Sequence, residues 1–152
     1  MDLYEQLVGL YLTLFEHLAV IPQFPVVFDN HGDPCFEESP GKRSRGAKYP
    51  DYLAVHIRKR QAQVVQVRKA LAKNEALQLT DPLTRTGAQS DRERIERYIK
   101  WFVGADFSVR WRFFVRAQNV KALEEQLQHA QQTTATVTAL EDVFEKLKNV
   151  MP

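Results

Sequence analysis

Pro50-Asp51-Tyr52-Leu53-Ala54-Val55-His56-Ile57-Arg58, then Lys59-Arg60-Gln61-Ala62, then Gln63-Val64-Val65-Gln66-Val67-Arg68-Lys69-Ala70, is the stretch whose reading decides the fold. Two runs rich in Val, Ile, Leu and Tyr, Tyr52 to Arg58 and Gln63 to Arg68, flank a short polar connection. β-Branched and aromatic side chains pack well on a pleated surface, so these runs predict a β-hairpin, placed centrally in a sheet.

Toward the N-terminus, Leu3, Leu7, Leu10, Tyr11, Leu14, Phe15 and Leu18 recur at steps of three and four. That spacing predicts a helix over residues 2 to 19 with these side chains on one face, stopped by Pro22. Pro25-Val26-Val27-Phe28, bounded by the turn cluster Asp29 to Pro34, predicts a strand, and a loop continues to Tyr49. Toward the C-terminus, residues 73 to 89 hold Asp81-Pro82 and Thr86-Gly87 without a sustained period, which predicts a long connection. Ser90-Asp91-Arg92-Glu93 has the spacing of a capping box, and Ile95, Tyr98, Ile99 and Phe102 continue it as a helix from 91 to 103. Val109, Trp111, Phe113 and Val115 alternate with Arg110, Arg112, Phe114 and Arg116, the period of a strand with one well-buried face. Asn119 is placed to cap a helix carrying Leu123 and Leu127, and Thr138 to Glu141 opens another carrying Val143, Phe144 and Leu147. Between them the Gln- and Thr-rich stretch Gln126 to Thr138 reads as a linker.

The resulting order, α-β-β-β-α-β-α-α, is an α/β chain: a mixed sheet flanked by helices, plus two C-terminal helices. With 152 residues, 44% of them hydrophobic, one domain is expected. Within it residues 1–118 form the α/β core and 119–152 a helical extension packed on the same domain. The apolar stripes of those last helices need cover, from the sheet or from another chain, so a homodimer or a protein partner is expected there.

Charge and cysteine content narrow the function classes. The net charge of +2 implies nothing by itself, but Lys42, Arg43, Arg45, Lys48, Arg58, Lys59, Arg60, Arg68 and Lys69 crowd one region in which Asp51 is the only acid. The single cysteine, Cys35, excludes an internal disulfide and favours a reducing, intracellular (cytoplasmic) setting. His17, His31, His56 and His129 stand at no ligand spacing and beside no evident nucleophile, which leaves a zinc site or a hydrolase triad without support. Leu7 to Ile21 is interrupted by Thr13, Glu16 and His17, so neither a membrane span nor a signal peptide is expected.

Pro50-Asp51 ahead of one strand, a polar pair two residues apart on the next, and the α-β-β-β-α-β order together resemble the PD-(D/E)XK nuclease superfamily, over about residues 1 to 118. The resemblance implies a restriction-endonuclease-like core, action on DNA, and Mg²⁺ held by carboxylates that activates water beside the scissile phosphate. It implies Asp51, Gln66 and Arg68 as the catalytic set, with Asp51 and Gln66 toward the metal. The third acid is to come from Glu38 or Glu37 in the loop, or from Glu16 or Glu5 on the first helix. Gln66 stands where the family has an acid and Arg68 where it has Lys. An amide offers an oxygen but no charge to a hard cation, and an arginine binds phosphate in two-pronged fashion but cannot serve as a base. Phosphate binding therefore survives these changes more easily than cleavage, and the expected function is a nuclease-like, DNA-directed binding module with weak or absent cutting. The alternatives are a working Mg²⁺-dependent endonuclease with a variant motif, and a protein-interaction subunit. Lys69 projects to the opposite face of its strand unless a bulge shifts the register.

Each of these residues also has a plain structural role open to it. Asp51 is suited to cap a turn, and Gln66 and Arg68 to sit on a solvated sheet face. Lys42, Arg43, Arg45, Lys48 and Lys69 are candidate phosphate contacts or simply solvated cations. Arg110, Arg112 and Arg116 are expected to pair with helix carboxylates, and Trp101, Phe102, Trp111 and Phe113 are assigned to the core.

Overall fold

A computed structural model describes residues 2–36, 50–71, 91–129 and 135–150. The hairpin is its centre: β2 (Tyr52–His56) and β3 (Gln61–Arg68) pair antiparallel, with Tyr52 opposite Val65 and His56 opposite Gln61. The turn, at residues 57–60, lies two residues earlier than the Lys59 to Ala62 connection expected from the sequence, and Arg60 closes it in the left-handed region at φ 51°. Around it stand α1 (Leu3–Glu16), β1 (Ala19–Pro22), α2 (Asp91–Val103), β4 (Ser108–Val115), α3 (Ala117–His129), β5 (Ala135–Ala139) and α4 (Leu140–Val150). The five strands form one sheet in the order β1-β2-β3-β4-β5. β1 is antiparallel to β2, whereas β3, β4 and β5 run parallel to one another. Parallel neighbours need a crossover, which α2 and α3 provide.

Alternation along the strands feeds two cores. Leu53, Val55, Val64, Trp111, Phe113 and Val115 face α2 and α3, where Ile95, Ile99 and Leu123 close over them. Tyr52, Ala54, Val65, Val67 and Phe114 face α1 and α4, against Val8, Leu12, Leu140, Val143 and Leu147. The α-β-β-β-α-β succession thus stands in a mixed sheet layered between helices.

Several elements differ from the sequence reading. The first strand is Ala19–Pro22, paired with Val55 through Tyr52, and not Pro25 to Phe28. α1 ends at Glu16 because His17 turns left-handed at φ 56° and its amide donates to the Leu12 carbonyl. The Pro25 to Phe28 run instead lays Val26 and Val27 into the core, with a lone bridge from Phe28 to Pro34. The α1 leucines do not share one buried face: Val8, Tyr11 and Leu12 are buried, whereas Leu3, Leu10 and Leu14 are exposed.

Residues 135–139, read as linker and helix start, are a strand beside β4. Thr and Val at alternate positions fit a pleated surface, and the Gln-rich context hid that period. β5 makes β4 an interior strand, and α1 and α4 cover its second face, so Phe114, expected on an outer face, is fully buried. The C-terminal part therefore belongs to the same sheet, and the apolar faces of α3 and α4 are spent on it: Leu123, Leu140 and Val143 are all fully buried. The surface that motivated a partner on those helices is covered by the chain itself. Residues 72–90 and 37–49, holding the long connection and most of the basic loop, lie outside the described residues.

α1 meets the sheet closely at Gly9, where an added Cβ would stand 2.8 Å from the Tyr52 hydroxyl oxygen and 3.0 Å from its Cζ. Gly9→Ala in an ordinary helix interior gains about 1 kcal/mol. Here Tyr52 must move off the Glu5 carbonyl to which it donates at 2.6 Å, so a net loss of roughly 1–3 kcal/mol is expected, read from the denaturant midpoint.

Candidate functional site

β3 ends at Arg68, which pairs with Val115 at the end of β4, which in turn pairs with Ala139 at the end of β5. One end of the sheet thus gathers the carboxyl ends of all three parallel strands, the place where open α/β sheets bind ligands. β2 runs the other way and begins there, which brings Pro50-Asp51 to the same end. The first turn of α1 is tied to it as well, by the Tyr52 hydroxyl on the Glu5 carbonyl.

Asp51, Gln66 and Arg68 share the sheet face of Leu53 and Val64, since side chains two apart on a strand point the same way. The Asp51 carboxylate accepts the Val67 amide at 2.6 Å, one step beyond the last β2 pair, and the Arg68 guanidinium at 2.9 Å. Arg68 also donates to the Val67 carbonyl at 2.7 Å. Asp51 is largely enclosed, 14% exposed, while Arg68 is 41% exposed and keeps part of its fork toward solvent. Burial pushes the Asp51 carboxyl up to about 6, against the lowering pull of the Val67 amide and of Arg68. The neighbouring Glu5 carboxyl adds to the rise, by its charge and by a side-chain hydrogen bond. The same surroundings, burial first and then Glu5, Asp51 and Asp2, push Tyr52 up to about 12, so its hydroxyl remains a donor.

Gln66 Oε1 is buried without a hydrogen-bond partner. Arg92 Nε, on α2, is buried too and forms an ion pair with Glu96 Oε1 at 3.3 Å without hydrogen-bond geometry. Arg92 was not singled out from the sequence, where it reads as one more surface charge in a capping motif.

Of the two described acids offered as a third ligand, Glu5 and Glu16, Glu5 is the one beside Asp51. Glu16 is engaged elsewhere, 2.5 Å from Arg112. Glu37, Glu38, Lys42, Arg43, Arg45 and Lys48 lie outside the described residues. Lys69 Nζ sits 5.9 Å from the Tyr4 ring centroid on α1, across the sheet from Gln66 and Arg68, and the β3–β4 register runs from Gln61 to Arg68 with no bulge to redirect it. Arg112 and Arg116 pair with helix carboxylates, Glu16 and Glu141, as their spacing led us to expect.

No family model, no curated protein and no solved structure matches this chain. What the site does must therefore be argued from its chemistry.

A resident Mg²⁺ does not fit this donor set as it stands. Hard divalent cations need several oxygen ligands with carboxylate charge. The Glu5 carboxylate already accepts the Asp2 amide at 3.1 Å, and Arg68 already sits where a cation would neutralise Asp51. Among the described residues no group of three His, Cys, Asp or Glu side chains is arranged to hold a metal ion. Gln66 Oε1 adds an oxygen without charge. Arginine is ionised throughout the working pH range and cannot remove a proton, whereas its open fork suits two phosphate oxygens.

Among the described residues, no helix is long and apolar enough to cross a membrane.

Proposed function

We propose that this chain is a nucleic-acid-binding module on a restriction-endonuclease-like core, directed at DNA, in which metal-dependent phosphodiester cleavage is weak or absent. The observation that carries this reading is the Arg68 to Asp51 ion pair, 2.9 Å long, at the carboxyl ends of the parallel strands. A guanidinium there compensates the carboxylate without a metal and leaves donors free for a backbone phosphate. Gln66 in place of an acid removes charge from the same spot, which weakens metal chemistry and leaves phosphate contact intact. The lone Cys35 agrees with a reducing, cytoplasmic setting.

A second reading, a working Mg²⁺-dependent endonuclease, draws on one observation: Glu5 stands beside Asp51, so displacement of Arg68 by an incoming phosphate would leave two carboxylates for a cation.

Binding of a labelled DNA duplex by Arg68→Ala, against wild type at two salt concentrations, tests the first reading. Loss of a charge-assisted phosphate contact is expected to weaken binding about tenfold and to lower the salt slope by about one. An unchanged affinity and slope would remove Arg68 from the interface.

A further inference from the structure

At the far end of the sheet from Asp51 lies a surface that the proposed site does not use. β3 spans Gln61–Arg68, which separates the two ends by about 25 Å. The turn at residues 57–60 is fastened to the junction of α2 and β4, because the Arg60 carbonyl accepts the Ser108 amide at 2.9 Å and its guanidinium pairs with Asp106. Arg58, Lys59 and Lys100 are exposed there.

At the same end, three aromatic rings that core spacing assigned to the interior or left unassigned face solvent: Trp101 and Phe102 on the last turn of α2, and Phe36 packed against them. Trp101 is 42% exposed, Phe102 40% and Phe36 70%. They form one group: the Phe36 ring centroid is 4.6 Å from Trp101 and 6.3 Å from Phe102. The group has a rigid floor, since buried Phe24 lies 4.9 Å from Phe102 and buried Tyr98 lies 5.4 Å from Trp101. The Tyr98 hydroxyl donates to the Cys35 carbonyl at 2.7 Å, which pins the chain immediately before Phe36.

We propose that this end of the molecule binds single-stranded nucleic acid, with Trp101, Phe36 and Phe102 stacking on bases and Arg58, Lys59 and Lys100 meeting phosphates. The proposal names the strand form and a second contact surface for the nucleic-acid reading, and rests on that reading. Charge complementarity selects the occupant. Protein interfaces are depleted in lysine, whereas exposed rings at the same end of the molecule as exposed lysine and arginine suit a strand whose bases present open faces. Among the described residues, the exposed acids Asp106 and Asp33 are engaged by Arg60 and Arg97 and do not repel phosphates unopposed. A duplex offers no free base faces to such rings, so the unpaired strand is the form that fits.

Fluorescence tests it. Trp101 is half exposed and Trp111 is buried, so quenching on titration with an oligothymidylate of about 8 nucleotides reports on Trp101. That probe is too short to be held mainly at the Arg68 end while stacked on Trp101. We expect quenching in the wild type, and in Trp101→Ala an affinity weaker by roughly 5- to 150-fold, the worth of one stacked base, followed by anisotropy of a labelled strand. Lys59→Ala, at an exposed turn, is expected to lower the salt slope by about 0.7, the worth of one phosphate contact on a single strand. Strand binding that survives Trp101→Ala and is lost in Arg68→Ala would overturn the proposal and leave the nucleic-acid reading standing. Equal affinity for duplex and strand, or self-association abolished by Trp101→Ala with no strand binding, would overturn it too. Absence of binding to either form of DNA would remove both.

Discussion

Replacing Asp51 with Asn is expected to flatten a fall in stability that the wild type shows as pH rises from 4 to 7. The carboxyl titrates near 6 in the folded chain, against 3.8 for an ordinary aspartate, and burial is the main cause. Between those values the folded state holds a proton that the unfolded chain has released, so stability falls with rising pH. The contribution is fully present below about pH 4 and lost above about pH 6, and a shift of this size corresponds to roughly 3 kcal/mol. Asn imitates the protonated acid: its oxygen still accepts the Val67 amide, and it does not titrate. The difference in unfolding free energy between wild type and Asp51→Asn, measured by denaturant titration at several pH values, should therefore move in favour of the variant as pH rises. A difference that is constant from pH 4 to 7 would mean that the carboxyl is not raised, and with it the enclosed Asp51–Glu5 pair would go.

Arg112→Ala should be the second large effect, at about 2–4 kcal/mol, between the worth of exposed ion pairs and that of fully buried ones. Arg112 is only 14% exposed and its partner Glu16 26%. The guanidinium also reaches Thr138 of β5 at 3.4 Å and lies 4.8 Å from the Phe114 ring centroid, so it joins α1, β4 and β5. Removing it leaves both Glu16 oxygens unpartnered, since Oε2 already has no hydrogen bond. A chain of this size should lose roughly 5 to 15 °C in Tm. The double variant Arg112→Leu with Glu16→Leu removes the stranded charge together with its partner and should recover most of the loss. If Arg112→Ala proves no more damaging than Arg60→Ala, at an exposed pair, then the Glu16 pair has no structural weight.

How much of this was legible in the sequence depended on how local the signal was. The β2–β3 hairpin and α2 were readable because their periodicity lies within the elements themselves. β1 was displaced because His17 ends α1 through a left-handed turn that histidine does not advertise, and Ala19 to Ile21 continue the apolar spacing of the helix. β5 was missed because its partner strand lies about 20 residues earlier and its threonines read as linker. At the site, Asp51, Gln66 and Arg68 were found through their spacing across the hairpin. Glu5 was one of four possible acids, and only the packing of α1 on Tyr52 distinguishes it. Trp101 and Phe102 were sent to the core because helical spacing says which residues share a face and not how far the neighbouring layer extends. The outward leucines of α1 taught the same lesson: Leu3, Leu10 and Leu14 keep helical register on a flank that no other element covers among the described residues.

The central claim, a nuclease-like module that binds nucleic acid without metal-dependent turnover, is tested most directly by one measurement. Labelled duplex and single-stranded DNA would be incubated with the wild type and Asp51→Asn, in Mg²⁺ or Mn²⁺ or without metal, with binding and strand cleavage followed in the same samples at two salt concentrations. The account predicts binding that weakens steeply with salt, persists without metal and yields no product. Metal-dependent product that disappears in Asp51→Asn would contradict it in favour of a working endonuclease, and no binding at low salt would contradict the nucleic-acid reading altogether.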